Sequence, residues 1–584
     1  MIISVISYIR NSMRDAKFFL HPELDWQRRY EALRASFVDR LSAQAVAERF
    51  GYKPSYVHLL RHLFRTGKVD FGELPVPGVA GRRAVSRDSR EKIRAWRERR
   101  LSAGEIAQLL SDQGIEMSVR TVERVLAEEG FPRLPRRTGL KVGLTVKGAK
   151  VPEKAQAISL SDLDGQAFES AGAGVFLFAP FLGQLDISSV VREAQLPGSK
   201  VLPATSYLLS FLALKLLGTE RYAHVGNHSF DPGLGLFAGL NVLPKCTAMS
   251  TYSYGLDEAH IHRLQAAFVR RAMKLGLYDG KVVNLDFHSV PHFGDDSVLE
   301  KHWTGARGKG MKGALTLFAQ DAESKLLLYT PADIRRGEAD EQVTDFLAFW
   351  RKVWRGSLPT FVFDSRFTSY EKLSELNAAG IKFITLRRRG AALLRQVEKL
   401  EGWQRIHVPH AKRKYPNPQV HESTIGLPHY DGEIRQLIVR GNGHEKPSFL
   451  ISNDRTAEPA SLVSDYARRW RIENGIAEAV KFFSLNALSS PILVKVHFDV
   501  VLTALADTLY TMLARKLRGF EDCHAPKLFR HFVAGKATVR VAGSRVVVTY
   551  PRRAHHPILR QVPWSGLPTQ LPAYPGASLE LRFA

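Results

Sequence analysis

Three carboxylates sit where a metal-dependent phosphoryl-transfer centre needs them. Asp286 closes the run Val282-Val283-Asn284-Leu285-Asp286, Asp364 closes Phe361-Val362-Phe363-Asp364, and Glu473 lies on a basic helix. Both runs are short and rich in β-branched or aromatic residues, which predicts strands. Ligands of open α/β sheets gather at the carboxyl ends of strands, so adjacent strands ending in Asp bring both acids to one point. Taken singly, an Asp after a strand equally begins a turn. Acids without His or Cys companions favour hard divalent cations, Mg²⁺ first and Mn²⁺ as its substitute. Two such ions, about 3.5–4 Å apart, activate a water or a DNA 3′-hydroxyl and stabilise the leaving oxygen of an in-line displacement. In this reading Asp286 bridges the ions, and Asp364 and Glu473 each hold one.

The third acid belongs to a stretch that reads as one helix from Ser461 to about Leu488, with Leu462, Tyr466, Arg469, Ile476 and Val480 at three- and four-residue steps. At about 100° per residue, Tyr466 and Arg469 fall within roughly 40° of Glu473, so phenol, guanidinium and carboxylate share a face. Arg469, with Tyr466 beside it, is suited to position the scissile phosphate through charge-assisted contacts. A plain helix-surface ion pair has the same Arg-to-Glu spacing.

Tyr466-Ala-Arg-Arg469-Trp-Arg-Ile-Glu473 resembles the tyrosine, arginine, glutamate and lysine signature of DDE transposases from bacterial insertion sequences, whose RNase H-like core carries a β-rich insertion. Leu285-Asp286-Phe287-His288-Ser289 is similar to that family's first catalytic strand, and Phe363-Asp364-Ser365-Arg366-Phe367 to its second. Ile381 to Arg387 resembles the strand that follows, and Phe449-Leu-Ile-Ser-Asn453 the lead into the signature helix. The resemblance covers roughly residues 280 to 515. It implies cutting at element ends and joining to target DNA through a hairpin intermediate, by a homodimer in the DNA complex. One position departs from the pattern. The family places a lysine seven residues after the glutamate, where Val480 stands; the nearest is Lys481, about 80° away on a regular helix. Lys481 is therefore expected to reach DNA backbone beside the site.

The chain has 584 residues, too many for one ordinary core and suited to about three to five domains. Its 83 Lys+Arg against 58 Asp+Glu give a net charge of +25, which favours double-stranded DNA over a membrane as partner. Cys246 and Cys523 lack zinc-ligand spacing and make no disulfide framework. Met1 to Arg10 makes a poor signal peptide, and apolar stretches such as Tyr207 to Leu217 are too short to span a bilayer. The expectation is a cytoplasmic, nucleoid-associated protein.

Along the chain, Ala43–Phe50 and Pro54–Phe64 read as a helix-turn-helix about Gly51, and a second follows, with Ser102 and Glu105 as a capping box and Ser118 capping Val119 to Leu126. In such modules the second helix enters the major groove, which nominates Lys53, Arg61, Arg120 and Arg124 as DNA contacts, with Arg136 and Arg137 in a basic Pro- and Gly-rich linker. A helical hairpin or a solvated tether produces these patterns without DNA.

The expected fold class is multidomain α/β, an RNase H-like catalytic core with a β-rich insertion preceded by helical helix-turn-helix domains. The expected boundaries are 1–75 and 76–140 (helix-turn-helix domains), 141–170 (basic linker), 171–280 (helical domain), 281–386 (core), 387–455 (β-rich insertion, carrying Lys412-Arg-Lys414), 456–520 (core with signature helix) and 521–584 (C-terminal region). His260 and His262, two apart on a long helix, are expected on its surface and not as ligands. Gly305 to Gly313 reads as a basic loop along phosphate, before a hairpin of Ala314–Phe318 with Leu326–Tyr329. Thr368 and Glu371 are expected to cap the helix after Asp364. Two competing functions use the same residues: an RNase H-like nuclease without strand transfer, and a transposase-derived DNA-binding regulator.

Overall fold

The computed structural model describes residues 22, 25–69, 85–98, 101–131, 153–293, 299–304, 308–332, 334–365, 367, 369–388, 390–408, 415–487 and 492–584. The chain divides into two compact units, Met1–Ala149 and Lys150–Ala584.

In the first unit, α1 (Asp25–Phe37), α2 (Ala43–Phe50) and α3 (Pro54–Arg65) close over Leu33, Val46, Phe50, Val57 and Leu60. The Ser42 hydroxyl accepts from Ala45 N, and Gly51, at φ +67°, ends α2 in the left-handed conformation that favours glycine. A second trio, α4 (Arg87–Glu98), α5 (Ala103–Asp112) and α6 (Val119–Glu128), buries Ile93, Ile106, Leu110, Val122 and Val125. Ser102 and Glu105 satisfy each other's backbone N–H groups at the start of α5, and Ser118 caps α6.

Among the described residues of the second unit, the strands make sheets of ten and five members. They are β1 (Ala167–Ser170), β2 (Val282–Pro291), β3 (Lys301–Thr304), β4 (Lys309–Asp321), β5 (Leu327–Tyr329), β6 (Thr360–Phe363), β7 (Phe383–Leu386), β8 (Gln404–Arg405), β9 (Gln419–Gly426), β10 (Glu433–Arg440), β11 (Ser448–Ser452), β12 (Ala537–Ala542), β13 (Arg545–Tyr550), β14 (Gln570–Leu571) and β15 (Tyr574–Phe583). The large sheet runs β3-β4-β2-β6-β7-β11-β10-β9-β8, with β5 on β4. Strands β2, β6 and β7 are parallel, while β4 and β11 pair antiparallel to β2 and β7. The large sheet is thus continuous and of mixed direction, and residues 404–452 extend it instead of starting another.

Several expectations change. Asp286 does not end its strand: β2 continues to Pro291 because Phe287 to Pro291 keep pairing with Leu317 to Gly313 of β4. Lys309 to Gly313 belong to β4 and not to a loop, and Gly305 to Arg307 lie outside the described residues. The linker expected to reach residue 170 stops earlier, since Ala167–Ser170 is β1, held antiparallel to β12. The C-terminal stretch, which carried little pattern beyond its prolines, forms the five-stranded sheet β1-β12-β13-β15-β14. Arg136, Arg137 and Lys412 to Lys414 lie outside the described residues.

Helices pack on the large sheet and on one another: α7 (Ala204–Leu216), α8 (Glu258–Lys274), α9 (Gln342–Val353), α10 (Tyr370–Ala378), α11 (Pro459–Arg468), α12 (Trp470–Phe482) and α13 (Leu493–Ala514). Residues 171–280 have no core of their own. Phe211, Leu264 and Phe268 share one apolar cluster with Leu285, Phe318 and Phe361 of the sheet and Leu505 of α13. Helix α13 is long and apolar enough to cross a membrane, but 83% of that window is buried inside the protein, which makes it a core helix.

One half-buried carboxyl group on α13 has a measurable consequence. Asp507 lines a cavity of 1260 Å³ together with Glu478 and Arg515. Burial, with Glu478 adding to it, pushes the Asp507 carboxyl up to about 7. A carboxyl whose folded pKa is raised binds its proton more tightly in the folded state, so stability falls as pH climbs from about 4 to about 7 and is level above. Asp507→Asn should therefore stabilise the protein at pH 8 by on the order of a few kcal/mol, less where cavity water solvates the carboxylate, and change little at pH 4. Urea unfolding at the two pH values reads this, and an equal effect at both would refute it.

Candidate active site

Asp286 and Asp364 become neighbours through strand pairing. In the parallel pair β2/β6 the last partners are Leu285 and Phe363, so Asp286 on β2 and Asp364, one residue past β6, follow side by side. Adjacent strands are about 4.8 Å apart, close enough for carboxylates to feel each other. Each carboxylate accepts from the following backbone N–H, Asp286 from Phe287 at 2.9 Å and Asp364 from Ser365 at 2.6 Å. Phe287 of β2 and Phe367, just past β6, stack with ring centres 4.6 Å apart and brace the two segments. The helix after Asp364 is capped by Ser369, whose hydroxyl accepts from Lys372 N; Thr368 lies outside the described residues.

Glu473 lies on the second of two helices where one was expected. The expected single helix breaks at Arg469, between α11 and α12, where Arg469 N bonds Tyr466 O and Ile472 N bonds Arg469 O across three residues instead of four. Such a tightened turn advances more than 100° per residue, so the helical-wheel argument does not carry across it. Tertiary contacts hold the joint. Asn284 of β2 donates to Arg468 O at 3.4 Å, Arg471 donates to Ala322 O at 2.6 Å, and Arg468 pairs with Glu323 at 3.3 Å. Gly475 lets α12 settle on the sheet, since a Cβ there would lie 3.0 Å from Gln320 Nε2.

Arg469 is the hub. Only 7% exposed, it donates to Glu473 Oε1 at 2.9 Å and stands 3.8 Å from Asp286 Oδ2, with its guanidinium 5.7 Å from the centre of the Tyr466 ring. Burial works against its charge, but Tyr466, Glu473, Asp286 and Asp364 together hold its pKa above the usual value. Asp286 is pushed up to about 6, first by burial; Arg469 opposes the rise and Glu473 and Asp364 add to it. Tyr466 is pushed up to about 12, again mainly by burial and against Arg469. The three acids therefore share one electrostatic site, in which a single guanidinium compensates several carboxylates.

Lys481 lies apart from this group. Helix α12 runs unbroken from Trp470 to Phe482, with Val480 packed against the main core and Lys481 exposed. In the first unit Lys53 and Arg120 are exposed. Arg61 is engaged by the fold itself, donating to Leu41 O at 2.8 Å. Arg124 pairs with Glu128 at 2.6 Å, and Glu128 also meets Arg90.

The residue types suit hard divalent cations, because Asp286, Asp364 and Glu473 offer only carboxylate oxygens and carry more negative charge than Arg469 offsets. Sequence reasoning missed Asn284, Arg468 and Arg471 as the fasteners of the helix joint. Their partners are more than a hundred residues away in sequence, so no local pattern marks them.

Residues 272–509 match the family model described as the transposase DDE domain. That segment contains β2, β6, α11 and α12, and with them all three acids. That segment is thus similar to the DDE domain of transposases. No curated protein matches the chain. Among solved structures, a cryo-EM structure of a piggyBac transposase synaptic complex with hairpin DNA is similar at 11% identity, covering 65% of this chain and 82% of that one, with a TM-score of 0.35, too low to carry an argument.

Proposed function

We propose that the chain binds the ends of an insertion sequence and catalyses divalent-metal-dependent strand cleavage and transfer to target DNA, on an RNase H-like core. The observation that carries this reading is the adjacency of Asp286 on β2 and Asp364 just past the parallel β6, with Arg469 linking Asp286 to Glu473. Strands β5, β4, β2, β6 and β7 lie in that order across the sheet, three antiparallel followed by two parallel additions, which supports the core assignment.

Asp286, Asp364 and Glu473 would hold Mg²⁺, with Mn²⁺ as substitute. Bound there, the ions supply an activated attacking oxygen and stabilisation of the leaving oxygen. Arg469 would neutralise the carboxylates before the metals and DNA arrive and then turn its fork to the scissile phosphate, with Tyr466 limiting its swing. Lys481 would contact backbone phosphate beside the site. The protein would act on double-stranded DNA as a homodimer, in the cytoplasm on the nucleoid. The test is cleavage of DNA bearing the native flanking repeats, with and without divalent cations. Cleavage plus joining supports the proposal, cleavage without joining favours the plain nuclease, and binding without cleavage under any divalent ion favours the regulator.

End recognition is assigned to the two three-helix units, each a helix-turn-helix module with its own apolar core. Lys53 and Arg120 would contact DNA, while Arg61 and Arg124 would serve chiefly to hold the modules together. Residues 30–140 alone should prefer repeat DNA to unrelated DNA, with affinity falling roughly a thousandfold or more between about 50 and 200 mM salt if six or more phosphates are contacted. Fluorescence anisotropy reads both, and equal binding to the two DNAs would remove the specificity claim.

A further inference from the structure

Histidine chemistry was not expected to form a site on the long helix, yet α8 and α13 bring Glu258, His262 and His497 together, with one potential ligand atom from each within 4.8 Å of the others. Glu258 and His262 are four residues apart on α8, so they share a face one turn apart. His497 comes from the second turn of α13, more than two hundred residues later. His260 takes no part. Its ring bonds back to Asp257 at the helix start.

The pocket is built on all sides. His497 is fully buried; its Nδ1 meets the Glu258 carboxylate, and its Nε2 is buried with no hydrogen-bond partner. The His262 and His497 rings stand 5.1 Å apart at 72°, and Tyr329 of β5 backs His262 at 6.1 Å. One turn further along α8, Gln265 exchanges hydrogen bonds with Thr330 at 2.9 and 3.3 Å, which fixes the rotation of the helix. The Glu258 side chain is 35% exposed and leaves an entry from solvent. An ion held by both Glu258 and His497 would sit at Nδ1, the ring nitrogen that faces the carboxylate, in place of the hydrogen bond they make now.

We propose that Glu258, His262 and His497 form a zinc site that clamps α8 to α13, separate from the three acids. Two imidazoles and one carboxylate match zinc, which takes nitrogen and oxygen ligands tetrahedrally, and suit magnesium poorly. With three protein ligands, the fourth position falls to water at the Glu258 rim. The inference does not rest on the transposase reading, because none of these residues lies on a strand or helix that carries the acids.

The test uses the full-length protein, stripped with chelator, loaded with zinc chloride and passed through gel filtration before metal analysis. About one zinc per chain should remain, as for a single three-ligand site, both in the wild type and in the Asp286→Asn, Asp364→Asn double variant. Glu258→Gln and His262→Asn should lose most of it, and zinc should raise the melting temperature of the wild type but not of these variants. His497→Asn is informative only if its circular dichroism is native, and the two rim variants carry the test otherwise. Wild-type protein that retains no zinc, or rim variants that retain as much as the wild type, would overturn the proposal.

Discussion

Asp286→Asn is expected to lower DNA cleavage by at least about a thousandfold, the upper range for removing one preorganised electrostatic contact, while binding to the repeat DNA stays largely unchanged. Asn keeps the shape of the side chain and its place on β2 beside Asp364, but removes a charge the metal ions would need. Unfolding cannot account for the loss. The Asp286 carboxyl is already pushed up to about 6, mainly by burial, so removing its charge relieves the fold instead of straining it. Binding survives because phosphate contacts spread over the basic surface supply most affinity. Asp364→Asn should behave alike. A labelled-strand cleavage assay beside an electrophoretic shift separates the two readouts; retained cleavage, or binding lost in step with it, would count against the assignment.

Arg469→Ala should cost roughly a hundredfold or more in cleavage rate, again on the scale of one electrostatic contact, whereas Lys481→Ala should cost only severalfold. The difference follows from position. Arg469 is buried, donates to Glu473 at 2.9 Å and stands 3.8 Å from Asp286. Without it the acids lose their shared counter-charge, so Asp286 holds its proton more strongly and incoming metal must displace it. Arg469→Lys restores charge but not the planar fork, and should rescue only in part. Lys481 projects from the exposed side of an unbroken helix, so its loss should appear as weaker DNA binding with a salt slope smaller by about one. Single-turnover rates at saturating protein make the comparison. Equal losses in the two variants, or an Arg469 variant impaired in binding alone, would place the lysine at the centre instead.

The acids were singled out on local signals. An apolar run interrupted by Asp and an Arg-to-Glu spacing of four are properties of a few consecutive residues, as are the Ser102 and Ser118 caps and the glycine turn at Gly51. Such patterns reflect the backbone's own hydrogen-bond needs, which neighbouring residues satisfy. The displaced lysine could likewise be read directly from the numbering.

What the chain alone determined was therefore which residue types were present and which short segments were helix or strand. Long-range pairing decided the rest. Strand β2 runs past Asp286 because β4, some thirty residues on, still offers partners to Phe287 and beyond, and residues 404–452 join the main sheet because β11 pairs with β7. The signature helix breaks at Arg469 because Asn284, Ala322 and Glu323 hold its two halves at separate points on the sheet. His497 meets Glu258 and His262 because a shared apolar core packs α13 against α8. Helical periodicity places a residue on a face, but only burial against a distant partner decides what that face meets.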